Sequence, residues 1–272
     1  MASKALCWLI LPDIHFPHHD ESALECVLAI KRRVKPDRIV QLGDALDCGA
    51  FSAHGRASMD DIGADFLSEE IAPYNVFLDR LQGKARTPLY HLEGNHENRV
   101  QRWLANAAGS VAGSIAPLLS VETLLGNRVS ESGNPRRPRE NFTWIPYIGK
   151  GFHSHLRIAP NLLAIHGWSV AQNAAKAHFD KVRNASVVHG HTHRAQNYTM
   201  RNPLTNDVYH AWSPGCLCDF VPIYMANSPS DWTHGITLLY QSRSDPSDWS
   251  HYNVTIVNGR AILPDGREVA AA

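Results

Sequence analysis

Five short polar clusters, each at or just past the end of an apolar run that reads as a β-strand, set the architecture this 272-residue chain can adopt. They are Asp13-Ile14-His15, Gly43-Asp44-Ala45-Leu46-Asp47, Gly94-Asn95-His96-Glu97, His166-Gly167 and Gly190-His191-Thr192-His193. Strands of a buried sheet deliver side chains from their ends to one rim, where residues distant in sequence converge. Clusters of Asp, His and Asn gathered in this way point to a binuclear metal site.

The segments between the clusters supply the scaffold. An apolar strand at residues 5–11 stops at Pro12, and Asp20-Glu21-Ser22 opens a helix running to about Arg33, with Pro36 as its stop. Residues 38–42 form the second strand. Residues 60–83 read as helical, with Pro73 kinking the helix or splitting it in two. Pro88 to Leu92 gives the third strand, followed by a helix from Asn98 to about Asn106. Residues 162–165 and 186–188 lead into the last two clusters, with a helix around 170–182 between them. The alternation predicts a mainly parallel sheet with helices on its faces. Strand-like runs near 208–212, 235–240 and 252–257 predict a second sheet packed on the first.

The whole of 1–272 reads as a single domain. Its residues 108–150, broken by Gly and Pro, read as an insertion or cap. Within that segment Arg128, Arg136, Arg137 and Arg139 are expected in a solvated loop, with a phosphate-binding rim as the alternative.

Lys plus Arg equals Asp plus Glu at 26 each, which gives no support to a general nucleic-acid binder. No apolar run approaches the roughly 20 residues of a membrane span, and the start lacks a secretory cleavage site, so a cytoplasmic protein is expected. The five Cys form no regular framework. Cys216 and Cys218, one residue apart, match neither a redox pair nor a zinc knuckle, and free thiols are expected. His18, His19, His54, His91, His153, His155, His178, His210, His234 and His251 read as surface or packing residues. So does His189, with support of a neighbouring ligand as its alternative. His54 and Arg56 read as loop residues near the cleft. Trp103, Trp144, Trp168 and Trp212 read as packing residues, with stacking on a base as the alternative.

Two divalent cations a few ångströms apart repel, so they need an anionic bridge, and Asp44 is the best candidate because a carboxylate can give one oxygen to each. Imidazole and carboxylate donors suit Mn, Zn or Fe better than Ca. Asp13 and His15, like His191 and His193, stand two apart, a spacing that puts both side chains on one face of an extended segment. Asn95 adds a neutral oxygen.

In order and composition the five clusters resemble the calcineurin-like metallophosphoesterase pattern D-x-H, G-D-x-x-D, G-N-H-[ED], H and G-H-x-H, over about residues 8 to 195. The resemblance implies a four-layer α/β/β/α sandwich of two mixed sheets with flanking helices. It also implies two divalent transition-metal ions, manganese first, with zinc or iron as alternatives. Carried over by position, one metal takes Asp13, His15, Asp44 and His193, and the other takes Asp44, Asn95, His166 and His191. The implied activity is hydrolysis of a phosphomonoester or phosphodiester by a metal-bridging hydroxide. His96 is then the general acid, Asp47 the carboxylate that orients it, and Arg99 a contact for the substrate phosphate. The substrate class extends to nucleotides and nucleic acid, so a DNA exo- or endonuclease of the same superfamily is the alternative. A catalytically silent protein-binding scaffold ranks below both, because His96 and every ligand position are filled. The second cluster lacks the Arg that follows this motif in phosphoserine phosphatases.

Overall fold

The computed structural model describes residues 4–52, 66–106, 117–147, 155–221 and 230–271. His54, Arg56 and His153 therefore lie outside the described residues, as do the first nine residues of the expected insertion. In chain order the strands are β1 (Leu6–Leu11), β2 (Arg38–Gln41), β3 (Leu89–Leu92), β4 (Phe142–Ile145), β5 (His155–Ala159), β6 (Leu162–Ile165) and β7 (Ser186–His189). They continue with β8 (Ala195–Arg201), β9 (Val208–Pro214), β10 (Gly235–Gln241), β11 (Trp249–Thr255) and the pair β12 (Arg260–Ile262) and β13 (Glu268–Ala270). The α-helices are α1 (Glu21–Val34), α2 (Ala72–Gln82), α3 (Glu97–Asn106), α4 (Val121–Gly126) and α5 (Ala174–Val182).

Two mixed sheets form the centre. The first has the order β11-β10-β1-β2-β3-β4 and the second β5-β6-β7-β9-β8. Strands β1 to β4 run parallel, whereas β10 and β11 join antiparallel. In the second sheet β6, β7 and β9 are parallel, and both edge strands are antiparallel. Parallel pairing thus covers β1 to β4 and β6, β7 and β9. Of the runs expected in a second sheet, those near 235–240 and 252–257 instead join the first as β10 and β11, and only the one near 208–212 joins the second, as β9.

Period-two alternation explains the layering. Leu9, Leu11 and Ile39 face one core with residues of α1 and α2, while Trp8, Ile10 and Val40 face a second core between the sheets. Ala164, Val188 and Trp212 close that second core from the other side. Their neighbours Ile165, Val187 and Ala211 pack under Ala175 and Phe179 of α5. Helices, sheet, sheet and helix follow in that order.

Local signals account for the helix ends. Asp20 caps α1 by accepting the Ala23 N–H at 2.8 Å. A π-helical stretch, Phe66–Ile71, runs directly into α2, and Pro73 falls in the first turn of α2, so the helix changes type just before the proline and is not split in two.

Arg136 and Arg137 are exposed, as expected of a solvated loop, but Arg128 and Arg139 are not. Arg139 is buried, donating to Asp79 Oδ1 at 2.7 Å and to Asn75 Oδ1 at 2.9 Å on α2. Arg128 pairs with the same Asp79, and Arg137 stays exposed beside Glu140. A guanidinium that finds a carboxylate and two amide oxygens can be buried; the local Gly and Pro content carries no trace of those distant partners. Strand β4 adds to the first sheet beside β3, so part of the expected insertion belongs to the core.

Candidate metal centre

Strands β1, β2 and β3 of one sheet and β6 and β7 of the other end at the same rim, and every cluster follows one of those ends. Backbone contacts draw the loops together. The N–H groups of Ile14 and His15 donate to Asp44 O at 2.9 and 3.0 Å, and Gly190 N donates to His166 O at 2.9 Å. The two sheets meet where His191 N lies 2.9 Å from both carboxylate oxygens of Asp13. A Cβ on Gly94 would overlap the Asp44 carboxylate, and one on Gly190 would overlap that of Asp13, so both positions need glycine for close approach. His15, Asp44, His191 and His193 all adopt positive φ, between 49° and 71°. Non-glycine residues held there cost on the order of 1–3 kcal/mol each and persist where surroundings over-determine them.

Asp44 lies at the middle of the side-chain arrangement. Its Oδ2 is 3.2 Å from His166 Nε2, 3.9 Å from His96 Nε2 and 4.0 Å from His15 Nε2. Its Oδ1 accepts the His96 N–H at 2.8 Å. His15 Nε2 and His193 Nε2 face each other at 3.1 Å, and His193 Nε2 stands 3.6 Å from Asp13 Oδ1. Asn95 Oδ1 is 2.9 Å from His166 Nε2. All seven residues expected as ligands thus gather within one cluster.

The tautomers sharpen the picture. His166 Nδ1 donates to Leu42 O at 3.0 Å, so in the neutral ring Nε2 is a lone pair aimed at two oxygens. Such a concentration of acceptors calls for positive charge. Burial alone would depress the His166 pKa, but Asp44 and Asp13 push it up to about 9. Burial would raise the Asp44 pKa, yet His166 and His96 hold it well below the usual carboxylate range. Burial, with His166 second, lowers His191 to about 4. A cation among these donors satisfies the same demand as a proton, so the donor set fits a divalent metal. Among the described residues, Asp13, His15 and His193 form one set of donors able to hold an ion, and Asp44, His166 and His191 form another.

His96, Asp47 and Arg99 stand at the edge of this cluster. His96 Nδ1 is 3.1 Å from Asp47 Oδ1 and 2.9 Å from Asp47 O, which directs Nε2 toward Asp44. The His96 side chain is 16% exposed, against 3% for His15 and Asp44, so it lies on the open side. Burial would lower its pKa, but Asp44 and Asp47 raise it. Asp47 Oδ1 also lies 3.2 Å from His15 Nδ1, tying the two imidazoles together. Arg99 places Nη1 on Asp47 O at 2.8 Å and Nη2 at 2.9 Å from His96 Nε2. Both arms of the fork expected to meet a substrate phosphate are therefore engaged by this pair.

Sequence reasoning gave Glu97 no role. It is fully buried and accepts the N–H groups of Asp44, Ala45, Leu46 and Gly94 at 2.6 to 3.1 Å. Burial and Asp44 push its pKa up to about 7, while the Leu46 N–H works the other way. The signal was its place as fourth residue of the Gly-Asn-His-Glu cluster. His178 and His189, read as packing residues, are buried with their rings 4.1 Å apart and tilted by 34°. His178 Nε2 accepts the N–H of Trp168 at 3.0 Å and so supports the loop after His166. Trp144 stacks on His91 and Trp212 on His251, as packing residues do, while Trp103 is 49% exposed beside Phe51. No helix among the described residues is long and apolar enough to cross a membrane.

Residues 9–224 match the family model described as calcineurin-like phosphoesterase, and the chain belongs to that family. It is 22% identical over 271 residues to the Gene 54 protein of Mycobacterium phage L5, covering 95% of this chain and 96% of that one. Among solved structures it resembles a metallophosphoesterase from Sphaerobacter thermophilus at 16% identity and a TM-score of 0.43, over 92% of this chain and 88% of that one. Vacuolar protein sorting 29 from Cryptosporidium parvum is similar at 15% identity and a TM-score of 0.44, over 99% and 98% of the two chains. The phosphoesterase Yfce from E. coli is similar at 15% identity and a TM-score of 0.36, over 98% and 100%.

Proposed function

We propose that this chain is a metal-dependent phosphoesterase hydrolysing phosphomonoesters or small phosphodiesters at a two-cation centre. The observation that carries the reading is the position of Asp44, whose carboxylate stands between the imidazole of His166 and that of His15. Asp13, His15, Asp44 and His193 would hold one divalent transition metal, and Asp44, Asn95, His166 and His191 the other. Manganese is the first candidate for both. Such ions supply Lewis acidity toward phosphoryl oxygens and a nucleophile near neutral pH.

The chain's own groups do the rest. His96 presents Nε2 to the cleft because Asp47 occupies Nδ1, and the two carboxylates favour the imidazolium, so His96 protonates the departing oxygen. Arg99 Nη2 donates to the Nε2 lone pair of the neutral ring; on release from Asp47 O and His96 it reaches a phosphate oxygen and leaves Nε2 free to carry the proton. Glu97 holds the Gly43–Leu46 turn so that Asp44 keeps its place.

The test is metal analysis of the purified protein together with a manganese-supplemented activity screen. The substrates are p-nitrophenyl phosphate, bis-p-nitrophenyl phosphate, cyclic nucleotides, and single- and double-stranded DNA. Hydrolysis of the small esters with two bound equivalents supports the reading. Activity confined to DNA would make the protein a nuclease, and failure to retain any transition metal would end the proposal.

A further inference from the structure

We propose that Cys216, Cys218 and His193 form a separate thiolate-containing cation site, and that a soft divalent cation held there withdraws His193 from the neighbouring centre. Cys216 and Cys218 flank Leu217, which sits at a bend between two isolated β-bridges. Cys216 bridges to His234 and Cys218 to His19, while Leu217 N donates to Asp13 O at 2.7 Å. Leu217 packs into the helix-side core, while both sulfurs gather with a ring nitrogen of His193. His193 Nδ1 stands 3.8 Å from Cys218 Sγ. The two sulfurs and a ring nitrogen of His193 all lie within 4.8 Å of one another, and all three residues are buried.

The 3.8 Å between His193 Nδ1 and Cys218 Sγ is what a tetrahedral ion requires, and Cys216 Sγ lies within 4.8 Å of the same group. Zinc bonds of about 2.3 Å to sulfur and about 2.0–2.1 Å to nitrogen place neighbouring ligand atoms about 3.5–3.8 Å apart. Two sulfurs and one imidazole, with no carboxylate, select zinc or cadmium over manganese or magnesium. Binding exchanges two thiol protons for one divalent cation, with the protons leaving to solvent and no change in oxidation state.

The coupling follows from a single imidazole serving two sites. His193 Nε2 faces His15 Nε2 at 3.1 Å, on the side of the Asp13–His15 donors, while Nδ1 faces Cys218. A neutral imidazole has one lone pair. A cation on Nδ1 leaves a hydrogen on Nε2 and removes one donor from the Asp13, His15 and His193 set. This consequence rests on the phosphoesterase reading above; the cysteine site itself does not.

The experiment titrates the reduced full-length protein with cadmium and follows the ultraviolet charge-transfer band of cadmium–thiolate bonds, which carboxylate and imidazole donors do not produce. The band is expected in the wild type and lost in Cys216→Ser/Cys218→Ser, which retains Cys7, Cys26 and Cys48. Absence of the band in the wild type, or its survival in the double variant, overturns the site. Should the double variant fail to fold, Cys216→Ser and Cys218→Ser are compared singly. Each must weaken the band, and an undiminished band in either overturns the site. In the second arm, cadmium added to the manganese-loaded protein is expected to inhibit p-nitrophenyl phosphate hydrolysis by the wild type but not by the double variant. Equal inhibition of both overturns the sharing of His193. Absence of hydrolysis in both tells against the phosphoesterase reading, while the band still decides the cysteine site.

Discussion

Glu97 Oε2 accepts the backbone N–H of Asp44 at 3.0 Å, joining the third polar cluster to the second through a carboxylate that touches no solvent. The same carboxylate takes the N–H groups of Ala45, Leu46 and Gly94, so one side chain organises the turn that presents the central Asp44. Glu97→Gln keeps the shape but turns one acceptor into a donor facing N–H groups. It is expected to cost about 2–3 kcal/mol in urea unfolding and to lower the metal content of the purified protein. Wild-type stability with full metal content would show that the turn holds without this carboxylate.

Asp44→Asn is expected to lose at least one metal equivalent and all measurable turnover, read by elemental analysis and p-nitrophenyl phosphate hydrolysis. Its Oδ2 lies 3.2 Å from His166 Nε2, 3.9 Å from His96 Nε2 and 4.0 Å from His15 Nε2. Full activity with both metals retained would refute its proposed role as the bridge.

His96→Ala is expected to keep the metals yet slow hydrolysis by about 10²-fold or more, most for esters with poor leaving groups. The ring stands at the open edge and makes its Nδ1 contacts to Asp47. Metal loss in this variant would place His96 among the ligands instead.

Arg139→Ala is expected to destabilise the fold by about 2–4 kcal/mol, because it leaves Asn75 and Gln82 short of a buried partner and Asp79 without its nearest buried cation. Once folded, the variant should hydrolyse p-nitrophenyl phosphate at the wild-type rate. A selective loss on nucleotide substrates, with unchanged stability, would restore the phosphate-rim role for this arginine.

His91 gives the pH prediction. Burial pushes its pKa down to about 3, and the ring lies between Tyr74 and Trp144. In the unfolded chain it titrates near 6.5, so below that pH the unfolded state takes up the proton first. Its contribution to stability is complete above about 6.5 and declines as the pH falls toward 3. The slope of about 1.4 kcal/mol per pH unit gives the wild type about 2 kcal/mol more loss than His91→Phe between pH 6.5 and 5. Parallel curves from the two proteins in urea melts would disprove the assignment.

Strand ends were legible in the sequence wherever an apolar run met a polar cluster. Leu9, Ile10 and Leu11 lead to Asp13, and Leu163, Ala164 and Ile165 lead to His166. Strand β8 was not legible, because Ala195–Arg201 is a sheet-edge strand in which Tyr198 and Met200 stand singly among polar residues, with no apolar run to announce it. β4 was hidden in the same way by the Gly- and Pro-rich segment before it, and only its pairing with β3 makes it a strand.

Side-chain type and position at strand ends were enough to mark out the Asp, His and Asn residues that the fold gathers at one rim. Tertiary structure decided how those residues are held. That Glu97 binds the N–H groups of Asp44, Ala45 and Leu46, that Asp47 joins His15 to His96, and that Arg139 is buried against α2 all depend on partners 14 to 64 positions away. Hydrogen-bond satisfaction is a property of the surroundings, so a buried polar side chain cannot be told from a solvated one until its partners are in place.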